Sequence, residues 1–320
     1  MIPKGISFFL IAIFFSYYAY SWGFYAHKKI NRLAVFTLPP EMIRFYKRYI
    51  HFITENAINP DQRRYAVEGE APRHFIDLDH YGDSAVYKLP RYWEEAVKVY
   101  TEDTLMAHGI NPWFIYKMKQ QLTGAFARKD LKSILRISAD IGHYIGDAHV
   151  PLHTTSNYNG QKTNQNGIHG FWESRLPELF ADNYNFFTGK AAYLSNCQSA
   201  IWNAVAASNK ALDSVLVFEK ELTKKFGGDK KYAFEERNGH TVKVYSKDFS
   251  EAYHNMLTGQ VERRMRAAII MVGSFWYTAW VDAGQPDLNS LLDNKSEQLN
   301  TIDSLVKNRN PVSGKWTNCH

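Results

Sequence analysis

Residues 143–153, HYIGDAHVPLH, constrain this chain more than any other stretch. His143 and Asp147 are four apart, and on a helix such positions lie one above the other on the same face. Both can therefore point at one metal ion, the spacing that helical zinc sites use. Pro151 lacks an N–H and clashes with the preceding turn, so the helix ends before it. His153 is thus carried onto the following loop, free to face a second ion. Taken alone, an H-x-x-x-D pair is more often an accident of a solvated helix face. A metal reading needs further nitrogen and oxygen donors, and a fold that gathers them.

The N-terminus bears on which donors exist. Lys4 is followed by an apolar run from Ile6 to Phe15 broken only by Ser7, and Ala19 and Ser21 are small residues before Trp22. This is the pattern of a secretory signal peptide over residues 1–21, cleaved after Ser21. A signal anchor is the alternative, but a membrane span wants about 20 apolar residues and this run is shorter. A lipoprotein would carry Cys where Trp22 stands. Cleavage converts the Trp22 nitrogen from an amide, which has no lone pair to give, into an amine that can bind a metal beside its own carbonyl oxygen. The processed chain is expected in the periplasm or the medium, without a membrane span and as a monomer.

Loss of Lys4 takes the formal charge from +6 to +5. This modest basicity is compatible with an anionic, phosphate-bearing substrate but does not separate nucleic acid from lipid. Two cysteines, Cys197 and Cys319, permit one disulfide and exclude both a disulfide framework and a C-x-x-C metal site. The 45% hydrophobic content is that of an ordinary globular chain.

The remaining periodicity is helical. Ala26, Ile30, Leu33 and Ala34 are spaced as one helix face, Pro39 and Pro40 interrupt, and residues 41–58 resume as a second helix. An Arg-rich loop, residues 59–75, follows. Helices are predicted at about 91–107 and 113–128, and Asp130 reads as the N-cap of the helix carrying His143 and Asp147. Residues 154–168 are an Asn/Gly-rich loop. Helices then run over 169–180 and 195–225, and residues 226–248 contain an alternating TVKVYS that is either a hairpin or a plain excursion. Residues 259–282 are apolar enough to be mistaken for a membrane span, but Glu262, Arg263, Arg264 and Arg266 in the first turns argue for a core helix. The expectation is one all-α, multi-helix domain over 22–286 with a polar extension over 287–320.

Further donors do occur in the chain. Trp22 and His27 stand five apart at the new N-terminus. Asp61 and His74 flank the Arg-rich loop, and His169 and Glu173 in HGFWE repeat the four-residue spacing. In this order and at these spacings, together with HYIGDAHVPLH, the set resembles the superfamily of bacterial zinc-dependent phospholipases C and fungal single-strand-specific nucleases. The resemblance runs through nearly all of the processed chain. It implies an all-α domain with a cleft holding three zinc ions. Asp61, His74, His143 and Asp147 would hold one, and His153, His169 and Glu173 a second. The amino nitrogen and carbonyl oxygen of Trp22, with His27 and a bridging Asp147, would hold the third. The implied reaction is phosphodiester hydrolysis, with a zinc-acidified water attacking phosphorus in line. Asp147 is the hub of the site, and Asp61 is either purely a ligand or also a general base.

Other residues are ambiguous. His51, His80, His108, His240, His254 and His320 have no partner at ligand spacing and read as ordinary histidines. His149 matches a position in the nuclease pattern and reads as an outer support rather than a ligand. Asp77 and Asp79 orient His74, contact substrate or lie on a solvated loop, and Arg63 and Arg64 either meet a phosphate or form surface ion pairs. Phe24, Tyr25, Tyr65, Phe75, Tyr144, Phe171 and Trp172 are mainly core residues, with one or two of them candidates to line a substrate cleft. Glu173 and the HY-x-GD run resemble the phospholipase branch, whereas Trp172 and P-L-H resemble the nucleases. The substrate is thus a phospholipid headgroup or single-stranded nucleic acid, with the first preferred. A zinc-stabilised domain without catalysis is the third alternative.

Overall fold

The computed structural model describes residues 23–237 and 239–292. The signal peptide, its cleavage site and Trp22 therefore lie outside the described residues, as do 293–320 with Cys319 and His320.

The described residues fold as an all-α assembly with one two-stranded antiparallel hairpin; the longest helix is Cys197–Phe226, and two others build the centre. The first is Leu131–Ala148, which starts where the sequence predicts. The Asp130 side chain accepts a hydrogen bond from the Ser133 backbone N–H at 3.1 Å, satisfying a donor that the first turn leaves unpaired. Every residue from Ile137 to Ala148 is buried, so the helix carrying His143 and Asp147 is the centre of the molecule and not a solvated face.

The second is Gln260–Asp282, which packs its buried aromatic residues against the first. Tyr46 stacks on Trp276 with ring centroids 4.8 Å apart, and both reach Ser138, through Tyr46 Oη at 2.8 Å from its hydroxyl and Trp276 Nε1 at 3.1 Å from its carbonyl. Among the described residues no helix is long and apolar enough to cross a membrane.

Several predicted helices are broken where a site residue must be aimed. Residues 41–58 divide into Pro40–Arg48, Ile50–Glu55 and a 3-10 turn Asn56–Ile58. The Arg-rich loop contains a short helix Asn59–Arg63 and a 3-10 turn Ala71–His74, which carry Asp61 and His74. The predicted helix over 91–107 splits at Thr101, whose φ of 63° ends one helix and caps the next. Residues 169–180 open as a π-helical stretch, Gly170–Arg175, before Leu176–Phe180. Periodicity alone does not separate one bent path from one continuous helix, because both keep the same residues inward.

The 226–248 excursion is a hairpin, Tyr232–Arg237 paired with His240–Tyr245. It is tied to the π-helical stretch by Arg175, which donates Nε–H to the Tyr245 carbonyl at 3.2 Å and both terminal nitrogens to Glu235. At its base the buried Lys231 meets the fully buried Glu219 at 2.6 Å, and Glu219 also accepts from Gln165 in the loop before His169. Glu219→Ala would strand the Lys231 cation among Tyr232, Tyr245 and Phe249. Removing one partner of such a buried pair costs about 3–5 kcal/mol. A corresponding fall in stability is expected in urea unfolding, and an unchanged midpoint would show that the pair contributes nothing. Beyond Pro286, Leu288 still packs into the core.

Candidate metal centre

Six backbone segments converge on one buried patch. The Gly23–Ala34 helix brings His27, the Asn59–Arg63 turn Asp61, and the Ala71–His74 turn His74. The central helix brings His143 and Asp147, the Pro151–Thr154 turn His153, and the start of the π-helical stretch His169 and Glu173. Close approach of the first helix depends on two glycines of the central helix. A Cβ at Gly142 would meet Asn31 Oδ1 at 2.0 Å, and one at Gly146 would meet His27 Nδ1 at 2.7 Å. The run G-H-x-x-G-D thus alternates donors with the hollows that let another donor in, a signal the sequence carried unread.

The distances fall into overlapping groups. His74 Nδ1 lies 3.0 Å from Asp147 Oδ2, 3.1 Å from His143 Nε2 and 3.7 Å from Asp61 Oδ1. His143 Nε2 is 3.3 Å from Asp147 Oδ2 and 3.6 Å from Asp61 Oδ1. In a second group His169 Nε2 is 2.8 Å from both His153 Nε2 and Glu173 Oε2, with His153 3.5 Å from that oxygen. His27 Nε2 lies 3.4 Å from Asp147 Oδ1 and 3.3 Å from Glu173 Oε1. Each of the sets His74/His143/Asp147, His153/His169/Glu173 and His27/Asp147/Glu173 has its donor atoms close enough together to hold a metal ion.

The donor set fits zinc. A tetrahedron with zinc–nitrogen bonds of about 2.0–2.1 Å has edges of about 3.3 Å, and the separations of 3.0–3.7 Å around His74, His143, Asp61 and Asp147 bracket that value. Outer contacts aim the rings. His143 turns its Nδ1 to the Ala57 carbonyl at 2.9 Å and His153 turns its Nδ1 to the His74 carbonyl at 2.5 Å, so each presents Nε2 to the cluster. His74 presents Nδ1, and its buried Nε2 has no hydrogen-bond partner among the described residues, with Glu70 Oε1 at 3.9 Å. The cluster meets solvent chiefly at His169, whose side chain is 21% exposed, with Asp61 at 10% and Glu173 at 11% on the same edge.

Without a metal the site is an ion-paired core. Burial alone would lower the His27 pKa, but Asp147 and Glu173 outweigh it and push it up to about 10. His153 is likewise raised against burial, by Asp147 and Glu173, to about 9. Asp147 and Glu173 are held well below the usual carboxylate range because the surrounding histidines outweigh burial. Burial lowers His74. Protons here occupy places where a cation would sit.

Several of the ambiguous residues have defined surroundings. Arg63 is engaged in ion pairs: it binds Asp140 at 3.1 Å and approaches Glu70 at 3.5 Å, with Tyr144 donating its hydroxyl to Glu70. Glu70 and Asp140 are both buried; Glu70 stands four residues before His74, a spacing the sequence carried unread, whereas Asp140 had no such mark. His149 is buried, donates Nδ1–H to the Ile145 carbonyl at 2.7 Å, and is pushed down to about 3 by burial and Arg264. It belongs to none of the metal-competent groups among the described residues. Asp79 pins the loop after His153 through the Ser156 backbone N–H at 2.8 Å, whereas burial and Asp79 push Asp77 up to about 6. His80 and His108 stack with centroids 3.2 Å apart, and His254 lies 2.7 Å from the Tyr184 hydroxyl. Phe171 stacks on Tyr245 and Trp172 donates to Gln260, so both are core residues, whereas Tyr65 is 69% exposed. Cys197 is buried, and its possible partner is outside the described residues.

No protein-family model and no curated protein matches the sequence. Among solved structures the chain is similar to the alpha toxin from Clostridium absonum, at 12% identity and a TM-score of 0.47 over 83% of this chain. It is similar also to the alpha toxin of an avian strain of Clostridium perfringens, at 14% identity and the same TM-score. The chain spans 65% and 66% of the lengths of those two proteins, respectively.

Proposed function

We propose that this chain is a zinc-dependent hydrolase of phosphodiester bonds, acting in the manner of a phospholipase C. The observation that supports it is the gathering of His27, Asp61, His74, His143, Asp147, His153, His169 and Glu173 into contiguous donor groups, in a patch opening to solvent at Asp61 and His169. In this reading Asp61, His74, His143 and Asp147 hold one zinc, and His153, His169 and Glu173 a second. His27 and Asp147 hold a third, completed by the amine and carbonyl of Trp22 after cleavage. Bound zinc would supply Lewis-acid polarisation of a phosphoryl oxygen and acidification of a water.

The protein groups have separate tasks. Asp147 turns Oδ2 to His74 and His143 and Oδ1 to His27, so one side chain ties two positions together. Ala57 and His74 carbonyls keep His143 and His153 in the tautomer whose Nε2 is free to donate. Asp61, at the solvent edge, is placed to accept the proton released when water adds to phosphorus and the bond to the leaving alcohol breaks. The reading carries with it export of a 22–286 domain after removal of residues 1–21.

Tyr158 favours a second reading. Its ring is 44% exposed and stands edge-on to His169 at 5.9 Å, where a nucleobase could stack, as single-strand nucleases require. The processed, zinc-loaded protein should be assayed in parallel on phosphatidylcholine and single-stranded DNA, with a chelator control. Chelator-sensitive release of phosphocholine is the expected result. Cleavage of DNA alone would transfer the reading to the nuclease side, and cleavage of neither would leave a zinc-stabilised domain without catalysis.

A further inference from the structure

We propose that Glu173 is a second bridging carboxylate, serving two metal positions at once, where the family resemblance gives it only one. The inference rests on the zinc reading above and concerns how its positions are connected. The two oxygens of Glu173 face different donor sets. Oε2 lies 2.8 Å from His169 Nε2 and 3.5 Å from His153 Nε2, whereas Oε1 lies 3.3 Å from His27 Nε2. His27 is in turn 3.4 Å from Asp147 Oδ1, and Glu173 completes a metal-competent group with His27 and Asp147 as well as one with His153 and His169.

His27 is the buried partner of this contact, and Glu173 stands at the solvent edge. The Glu173 side chain is 11% exposed and that of His27 3%. At that range the two atoms face each other across a hydrogen on His27 Nε2 in the metal-free protein, the place a metal ion would take. Asp147, the bridge that the family resemblance implies, has the same geometry, with one oxygen toward each of two sets. Glu173 is also held still. Trp172 donates to Gln260 at 3.0 Å on one side, and Arg175 clamps the Tyr245 carbonyl and Glu235 on the other. The longer side chain of Glu lets the carboxylate lie between His169 and His27; Asp at this position would pull it back by about one methylene, roughly 1.5 Å. The positions then form a chain in which Asp147 and Glu173 each link two neighbours.

Zinc per chain should be measured by elemental mass spectrometry at buffered free zinc for the processed wild type, Glu173→Gln, Glu173→Asp and His169→Ala. Circular dichroism would establish that each remains folded. The expected result is that Glu173→Gln loses about one zinc more than His169→Ala. Glu173→Asp should keep the His153/His169 ion while binding the His27 ion about tenfold or more weakly, as loss of a supporting ligand does. If Glu173→Gln and His169→Ala lose the same single ion, or Glu173→Asp leaves the His27 ion unchanged, Glu173 is a terminal ligand and the inference fails while the zinc reading stands. A wild type that takes up no zinc overturns both.

Discussion

Asp147→Asn is expected to remove more than one zinc per chain and to cost far more activity than the about 100-fold that losing an outer support costs. The amide keeps the shape of the carboxylate but halves its acceptor capacity and removes its charge. That charge offsets the cluster from within: Asp147 lies 3.0 Å from His74, 3.3 Å from His143, 3.4 Å from His27 and 3.8 Å from His153. It is the carboxylate that faces all four of these histidines, and an amide supplies no charge in its place. Zinc content by elemental analysis and chelator-sensitive phosphodiester hydrolysis test this together. An active, zinc-replete Asp147→Asn protein would sink the site as drawn.

Chelation is expected to destabilise the protein, and more at alkaline than at acid pH. In the metal-free protein His27 and His153 have pKa values raised to about 10 and about 9. A raised histidine contributes stability that is fully present below its ordinary value of about 6.5 and is lost as pH climbs through the raised value. Asp147 and Glu173, held low, contribute above the ordinary carboxylate range and lose their contribution only on acidification. The metal-free protein is therefore most stable at about pH 5–6.5 and weakens toward pH 10. Zinc reverses the alkaline trend because it needs imidazoles without their protons. A site filled at about 1,000 times its Kd adds about 4 kcal/mol, which moves Tm by on the order of 10 °C in a chain of this size. Thermal unfolding with and without chelator, from pH 6 to pH 9, should show the gap widening with pH. A gap that is constant or absent would contradict the ion-paired picture of the metal-free site.

Glu219 shows how the periphery bears on the same centre. It holds Lys231 at the hairpin base and Gln165 in the loop that leads to His169, and Arg175 ties the hairpin to the stretch carrying Glu173. Gln165 and Glu219 are 54 residues apart and neither has a motif around it. A buried pair of this kind is visible only once the chain is folded.

What the sequence determined by itself was the helical class, the Asp130 cap, the end of the central helix before Pro151, and the candidate donors with their order along the chain. These are local matters: a hydrogen-bond-deficient first turn, a missing N–H, a four-residue spacing. Only the tertiary structure decided that the 226–248 excursion is a hairpin, that residues 41–58 and 169–180 bend, and that Arg63 turns to Asp140 rather than outward. It also decided that Gly142 and Gly146 open the hollows through which the first helix approaches, and that Glu173 faces two donor sets instead of one. The physical reason is that donor type and spacing are written in neighbouring residues. The direction in which each buried oxygen points is set by packing between segments more than a hundred residues apart.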